Sequence, residues 1–251
     1  MSRGLTLLIA MAVYAIFFAT FLYLIAFVGH FSFVGHSVDV GPASTPLAAA
    51  LIDIGLIALF GLQHSVMARP GFKAQWIKIV PKPIERSVYV LAASVALMIL
   101  FRFWRPIDAM VWNVQSPVFS AMIWLLFWAG WGTVLLSTFL INHFELFGVQ
   151  QAWLHCWGRE CAEPELRQPL FYKWVRHPLY AGFFLAFWAT PHMTGGHLLL
   201  AAGVSVYMLI AIRFEERDLT DLFGDDYRRY QADVGMLTPK LRTGRAARNP
   251  S

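Results

Sequence analysis

The chain has 251 residues, of which 58% are hydrophobic and only 14% charged, well below the quarter usual in soluble domains. That balance excludes a soluble globular protein and points to a chain that crosses a membrane several times. The net charge of +5 sits in loops and at helix ends, with no basic stripe interleaved with aromatics. It therefore suits anionic lipid headgroups and gives no support for nucleic acid as a partner.

Apolar runs of membrane length predict helices over 5–29, 47–68, 86–104 and 118–141. The first is too long and too aromatic for a cleaved leader and is expected to be retained. Between the second and third lie Arg69, Lys73, Lys78, Lys82 and Arg86, whereas the loop at 30–46 holds no Lys or Arg. By the positive-inside rule both termini, the 69–86 loop and the 142–177 loop are expected in the cytoplasm of a multi-pass membrane protein. Arg102 and Arg105 would then lie outside. Cys156 and Cys161 share one of these loops at a C-x4-C spacing, beside His155. A zinc site needs about four ligands, so no metal is expected and the two thiols are read as free.

The apolar run from Pro178 to Arg213 is interrupted at Pro191-His192-Met193-Thr194-Gly195-Gly196. Breakers in mid-run predict a turn, hence a hairpin of two short helices, 178–192 and 197–213. Beyond Arg213 the chain turns polar. A continuation to Phe223, a break at Gly224 and a short helix from Asp225 are expected, with Thr243 to Ser251 disordered. The predicted fold is all-α: a polytopic bundle of four long helices plus a C-terminal hairpin, capped by a small cytoplasmic helical unit. It forms one domain over 1–242.

Two polar clusters flank that hairpin, Arg176-His177 with Tyr180, and Glu215-Glu216. A hairpin would bring them to one face as walls of one polar site. Pro178 suits the first turn of a helix, which places Val175, Arg176 and His177 at its mouth, where free backbone N–H groups can meet an anion. Adjacent acids point about 100° apart on a helix; one can pair with Arg176 while the other meets an ammonium or hydroxyls. Headgroup anchoring accounts for Arg176 and His177 equally well on physics alone. Within the bundle Asp53, His64 and His143 are ionisable groups that default to functional candidates.

The ordered set Tyr172-Lys173-Trp174-Val175-Arg176-His177-Pro178-Leu179-Tyr180-Ala181-Gly182, then Glu215-Glu216, Phe223-Gly224, Tyr227, Tyr230 and Pro239, resembles the isoprenylcysteine carboxyl methyltransferase superfamily of integral-membrane enzymes. Gln63-His64-Ser65, Glu85-Arg86-Ser87, Trp104-Arg105-Pro106, Asn142-His143-Phe144-Glu145 and Trp188-Ala189-Thr190-Pro191 resemble a narrower branch, the bacterial methanethiol S-methyltransferases and related NnrU-type membrane proteins. The resemblance implies S-adenosylmethionine as cofactor. Its pocket, over 172–240, would be walled by Tyr172, Val175, Arg176, His177, Leu179, Tyr180, Glu215 and Glu216, with Gln150 and Gln151 against the adenosine. The acceptor would be a small thiol, with His64 or His143 as base, Arg86 at the mouth and Asp53 as a lesser candidate. A non-catalytic assembly factor, and a methyltransferase acting on a lipid amine or prenylcysteine, are the competing implications.

Overall fold

A computed structural model describes residues 2–160, 166 and 168–240. Helix α1 spans Arg3–Val28, α2 Pro46–Ala68, α3 Pro70–Trp76 and α4 Lys82–Phe103. After strand β1, Met110–Asn113, come α5 (Pro117–Ile141), α6 (His143–Leu146) and α7 (Val149–Cys156). A 3-10 turn at Leu170–Lys173 leads into α8 (Pro178–Trp188), strand β2 (His192–Thr194), α9 (Gly195–Phe223) and α10 (Asp225–Asp233). Cys156 is a free thiol at the end of α7. Cys161 and the tail over 243–251 lie outside the described residues.

Local chemistry sets the helix starts. Ser2 and Thr45 accept the N–H groups of Leu5 and Ala48 as N-caps, and Thr194 accepts that of His197. Pro46 and Pro117 open their helices where a missing N–H costs nothing. At Gly224, φ is +58°, which ends α9 and lets α10 turn away.

The chain is a multi-pass membrane protein. Five helices (α1, α2, α4, α5 and α9) are long and apolar enough to cross a bilayer. Their outward faces carry Leu8, Leu47, Leu51, Leu62 and Leu125, all exposed. The end bearing the 69–86 loop is called the basic end below. The four expected long helices are present within a few residues of their predicted bounds. The expected continuation of the second hairpin helix past Arg213 to Phe223 is present, so α9 runs unbroken for 29 residues, about 43 Å, while the first arm ends at Trp188 rather than 192. A helix entering hydrocarbon at Gly195 needs about 20 residues to traverse it, so Glu215 falls where α9 emerges at the basic end.

Helix α8, in contrast, has 11 residues, or about 16 Å, and does not cross alone. The extended stretch 189–194 completes the passage. Such backbone survives in a membrane only if its polar groups are met by protein, and here they are. Val114 N–H donates to Pro191 O at 2.8 Å, Gly195 N–H to Ala109 O at 2.7 Å, and the Trp112 indole to Thr190 O at 2.9 Å. The antiparallel pairing of β1 with β2 was not foreseen, because three- and four-residue strands leave no periodicity to read. This small sheet, with buried Phe27, Val38, Trp104 and Met193, seals the end opposite the basic one.

Helix α8 is pressed onto α5 through glycines. A Cβ on Gly182 would lie 2.8 Å from Gly130 O and 2.9 Å from Val134 N; one on Gly130 would lie 2.7 Å from Ala186 N. Small residues at helix crossings let backbones approach in a medium that gives no hydrophobic drive. Gly182→Val should therefore destabilise the fold by about 2 kcal/mol, lowering Tm in detergent by about 4–8 °C. Gly132→Ala, whose Cβ meets nothing within 4 Å, should leave Tm in place. Equal Tm values for the two variants would contradict the tight α5–α8 contact.

Candidate functional site

The two polar clusters read from the sequence do meet. Arg176 Nε donates to Glu216 Oε1 at 2.7 Å, and His177 Nε2 lies 3.0 Å from the same oxygen. Gln231 of α10 donates to Glu216 Oε2 at 3.1 Å. Arg176 Nη1 reaches the carbonyls of Gln231 and Val234, and Tyr230 donates its hydroxyl to Tyr172 O. The Arg176 and Glu216 side chains are 10% and 16% exposed, so the pair acts in a medium that screens it weakly. Glu216 is thus a latch joining α8, α9 and α10.

That latch corrects one expectation. The N–H groups of Val175, Arg176 and His177 are not free for an anion. They donate to Phe171 O at 2.9 Å, Gly235 O at 2.8 Å and Met236 O at 3.1 Å, because the segment after α10 pairs alongside Val175. Val175 faces a shallow outer depression with Pro178 and Pro239.

Beside the latch a cavity of about 500 Å³ opens at the basic end and runs down the bundle. Of the sequence-predicted residues, Tyr172, Arg176, His177, Leu179, Tyr180, Glu215, Arg86, His64 and His143 all line it. Glu215, turned about 100° from Glu216, points into it and accepts the Tyr180 hydroxyl at 3.0 Å. Four other predicted residues lie elsewhere. Gln150 accepts from Asn142, and Gln151 donates to Glu145 O at 3.0 Å; both brace the α6–α7 elbow. Glu216 is spent on the latch. Asp53 is fully buried eleven residues before His64 on α2, about 16 Å away along the helix, where its Oδ1 accepts the Arg105 N–H at 2.9 Å. It caps the chain leaving α4.

The rim of the cavity is charged in both signs. Arg69 pairs with Asp218 at 3.1 Å and lies over the Phe214 ring. Arg86 donates from Nε to Leu146 O at 2.9 Å and sits over the Tyr89 ring. Lys73 lines the same rim, and burial, then the Arg86 charge, push its ammonium below the usual lysine range. Lys73 and Arg86 side by side form a place where an anion would relieve repulsion.

The two histidines differ in what they leave available. Thr138 donates its hydroxyl to Leu135 O, so its contact with His143 Nδ1 at 2.8 Å needs the proton on that nitrogen. His143 Nε2 then accepts from Tyr14 at 2.8 Å, and both ring nitrogens are satisfied. His64 Nε2 lies 2.7 Å from the Tyr89 hydroxyl, whereas His64 Nδ1 is buried with no hydrogen-bond partner among the described residues. Phe60, Tyr89 and Tyr207 surround that ring. Sequence reasoning assigned no role to Lys73, Tyr89 or Tyr207. The available signal was the spacing Arg86, Tyr89, Ala93, Leu97, Leu100, one stripe of a helix.

A charged rim above an enclosed apolar chamber, all on membrane-spanning helices, defines a polytopic membrane protein with a small-molecule site at one end of its bundle. The chain belongs to the NnrU family, whose model, described as NnrU protein, matches residues 53–244. It is 49% identical to the methanethiol S-methyltransferase of Mycobacterium tuberculosis over 239 residues, covering 95% of this chain and 98% of that one. It is 52% identical to the methanethiol S-methyltransferase of Pseudomonas deceptionensis over 217 residues, covering 86% and 81%. Nurim of Xenopus laevis is 31% identical over 175 residues, covering 66% and 61%. No solved structure matches the chain.

Removing the latch carboxylate strands Arg176 in a buried place. Glu216→Ala should destabilise the protein by roughly 3 kcal/mol and expose α10 to protease; unchanged Tm and digestion would rule the latch out. Burial also holds the His143 imidazole below the ordinary histidine pKa. The unfolded chain then binds the proton more readily, so this stabilisation is full above about pH 6.5 and is lost as pH falls from there. Tm should drop more between pH 7.5 and 5 in the wild type than in His143→Gln, and parallel curves would refute the assignment.

Proposed function

We propose that this chain methylates methanethiol to dimethyl sulfide, with S-adenosylmethionine as donor, at the cytoplasmic face of a bacterial inner membrane. Its basic end, where α1 begins and α10 lies, faces the cytoplasm. The carrying observation is His64, a cavity-lining residue whose Nδ1 has no hydrogen-bond partner among the described residues, in a chain about half identical to methanethiol S-methyltransferases. Orientation rests on the Lys and Arg of the 69–86 loop against none at 30–46.

The residues fit the donor. A zwitterionic amino-acid end needs both signs of charge, and the rim offers Glu215 to an ammonium and Lys73 with Arg86 to a carboxylate. Tyr172, Tyr180 and Tyr207 supply aromatic wall for a base. A cavity of about 500 Å³ lies within the range of cofactor sites. When bound, S-adenosylmethionine supplies a methyl group on a positively charged sulfur.

An activated methyl needs an in-line acceptor more than it needs a covalent nucleophile. The acceptor must be thiolate, so the protein's task is to remove one proton. His64 can take it at Nδ1 when Nε2–H donates to the Tyr89 hydroxyl oxygen, 2.7 Å away. The Tyr89 hydroxyl then turns to His64 O, 3.5 Å away. The resulting imidazolium keeps its contact with Tyr89, which makes Tyr89 a positioning residue. His143, with both nitrogens engaged, serves structure. Phe60 and Tyr207 around the ring exclude water that would compete with the thiolate.

In membranes expressing the chain, headspace gas chromatography should find dimethyl sulfide after methanethiol is added. His64→Ala should lower turnover by about 100-fold or more with calorimetric affinity for the donor within twofold. Glu215→Gln should instead weaken donor binding by about tenfold. Full turnover in His64→Ala would remove it as base, and no dimethyl sulfide from folded protein that binds the donor would sink the methanethiol reading.

A further inference from the structure

The cavity is far longer than methanethiol needs. Below the His64–Tyr89 pair its lining continues through Ile57 on α2, Leu97 and Leu100 on α4, Leu200 on α9, Leu24 on α1 and Phe187 on α8. From His64 to Ile57, and from Tyr207 to Leu200, is seven residues of helix, about 10 Å; from Tyr89 to Leu100 is eleven, about 16 Å. Three helices thus place the floor 10–16 Å beyond the base. A one-carbon thiol would occupy only the top of that shaft.

The shaft's chemistry is that of a hydrocarbon site. Its hydroxyls are spent within their own helices: Ser94 donates to Val90 O at 2.9 Å and Thr20 to Ile16 O at 2.8 Å. Beyond Leu24 and Leu100 the same core continues into buried Phe27 and Trp104. Glu215, Asp218, Arg86 and Lys73 all stand at the opposite mouth. A thiol placed with its sulfur at His64 Nδ1 can point only an apolar group downward.

We infer that the shaft is an acceptor subsite for unbranched alkyl chains, and that the enzyme S-methylates medium-chain alkanethiols besides methanethiol. The inference rests on the methyltransferase reading. The reaction balances in the same way: the R–SH proton passes to His64, the alkyl sulfur bonds to the methyl carbon, and the electron pair of the broken bond stays on the donor's sulfur. The products are an alkyl methyl thioether and the demethylated donor.

Two experiments on the full-length protein in nanodiscs test this. The first measures kcat/KM for methane-, propane-, pentane- and heptanethiol at matched free concentrations. It should rise by up to about fourfold per methylene, the transfer value of a buried CH2. Leu97→Trp and Val204→Phe, which fill the shaft, should each cut the pentanethiol-to-methanethiol ratio at least tenfold. The second needs no turnover: methyl pentyl sulfide should raise Tm of the wild type but not of the filled variants. A flat or falling series together with no thioether-induced shift overturns the shaft as a subsite while methanethiol turnover leaves the enzyme reading intact. Methylation of no thiol at all overturns both.

Discussion

A single carboxylate organises the working end of this molecule. Glu216 emerges from the membrane on α9 and takes Arg176 and His177 from the start of α8 and Gln231 from α10. With those contacts made, the segment after α10 lies against Val175 and consumes the N–H groups of Arg176 and His177. Because Glu216 is occupied, its neighbour Glu215 faces the cavity by helical geometry alone. The cavity's rim and the cap over it follow from where that one charge is neutralised.

Hydrocarbon imposes the second constraint. A membrane tolerates irregular backbone only where protein meets its polar groups, and α8 is too short to cross. The 189–194 stretch solves this by pairing with the loop after α4 at the far end. The same pairing meets the backbone polar groups at the end of the bundle opposite the charged rim. Gly130 and Gly182 hold α8 against α5, which keeps Tyr180, Phe183 and Phe187 on the cavity wall.

The site that results separates its tasks by depth. Charge is confined to the mouth, where Glu215, Lys73 and Arg86 gather. At the next level stands His64, whose Nδ1 has no hydrogen-bond partner among the described residues. Below it the walls are apolar and their hydroxyls are internally satisfied. Such layering suits the union of a charged donor at the mouth with an apolar acceptor below it. It also gives the two histidines different parts, since His143 is held by Tyr14 and Thr138 while His64 is held on one side only.

The sequence by itself determined the membrane character, the four long helices before residue 142, the break at Gly224 and the meeting of Arg176-His177 with Glu215-Glu216. These follow from apolar run length, from glycine's tolerance of positive φ and from the cost of isolated charge near hydrocarbon, all of which act locally along the chain. Tertiary structure decided the rest. Breakers at 191–196 marked a real interruption and the run of α9 to Phe223 was legible in the chain, but the partners that Glu215, Glu216 and Asp218 find were set only by the fold. Asp53, Gln150 and Gln151 looked available and were claimed by Arg105, Asn142 and Glu145, contacts no spacing rule anticipates. Which histidine kept a free nitrogen was set by Tyr89 on α4 and by Tyr14 on α1, brought to His64 and His143 from 25 and 129 residues away. Hydrogen-bond satisfaction is settled by what lies across a gap in space, and a linear chain does not carry that information residue by residue.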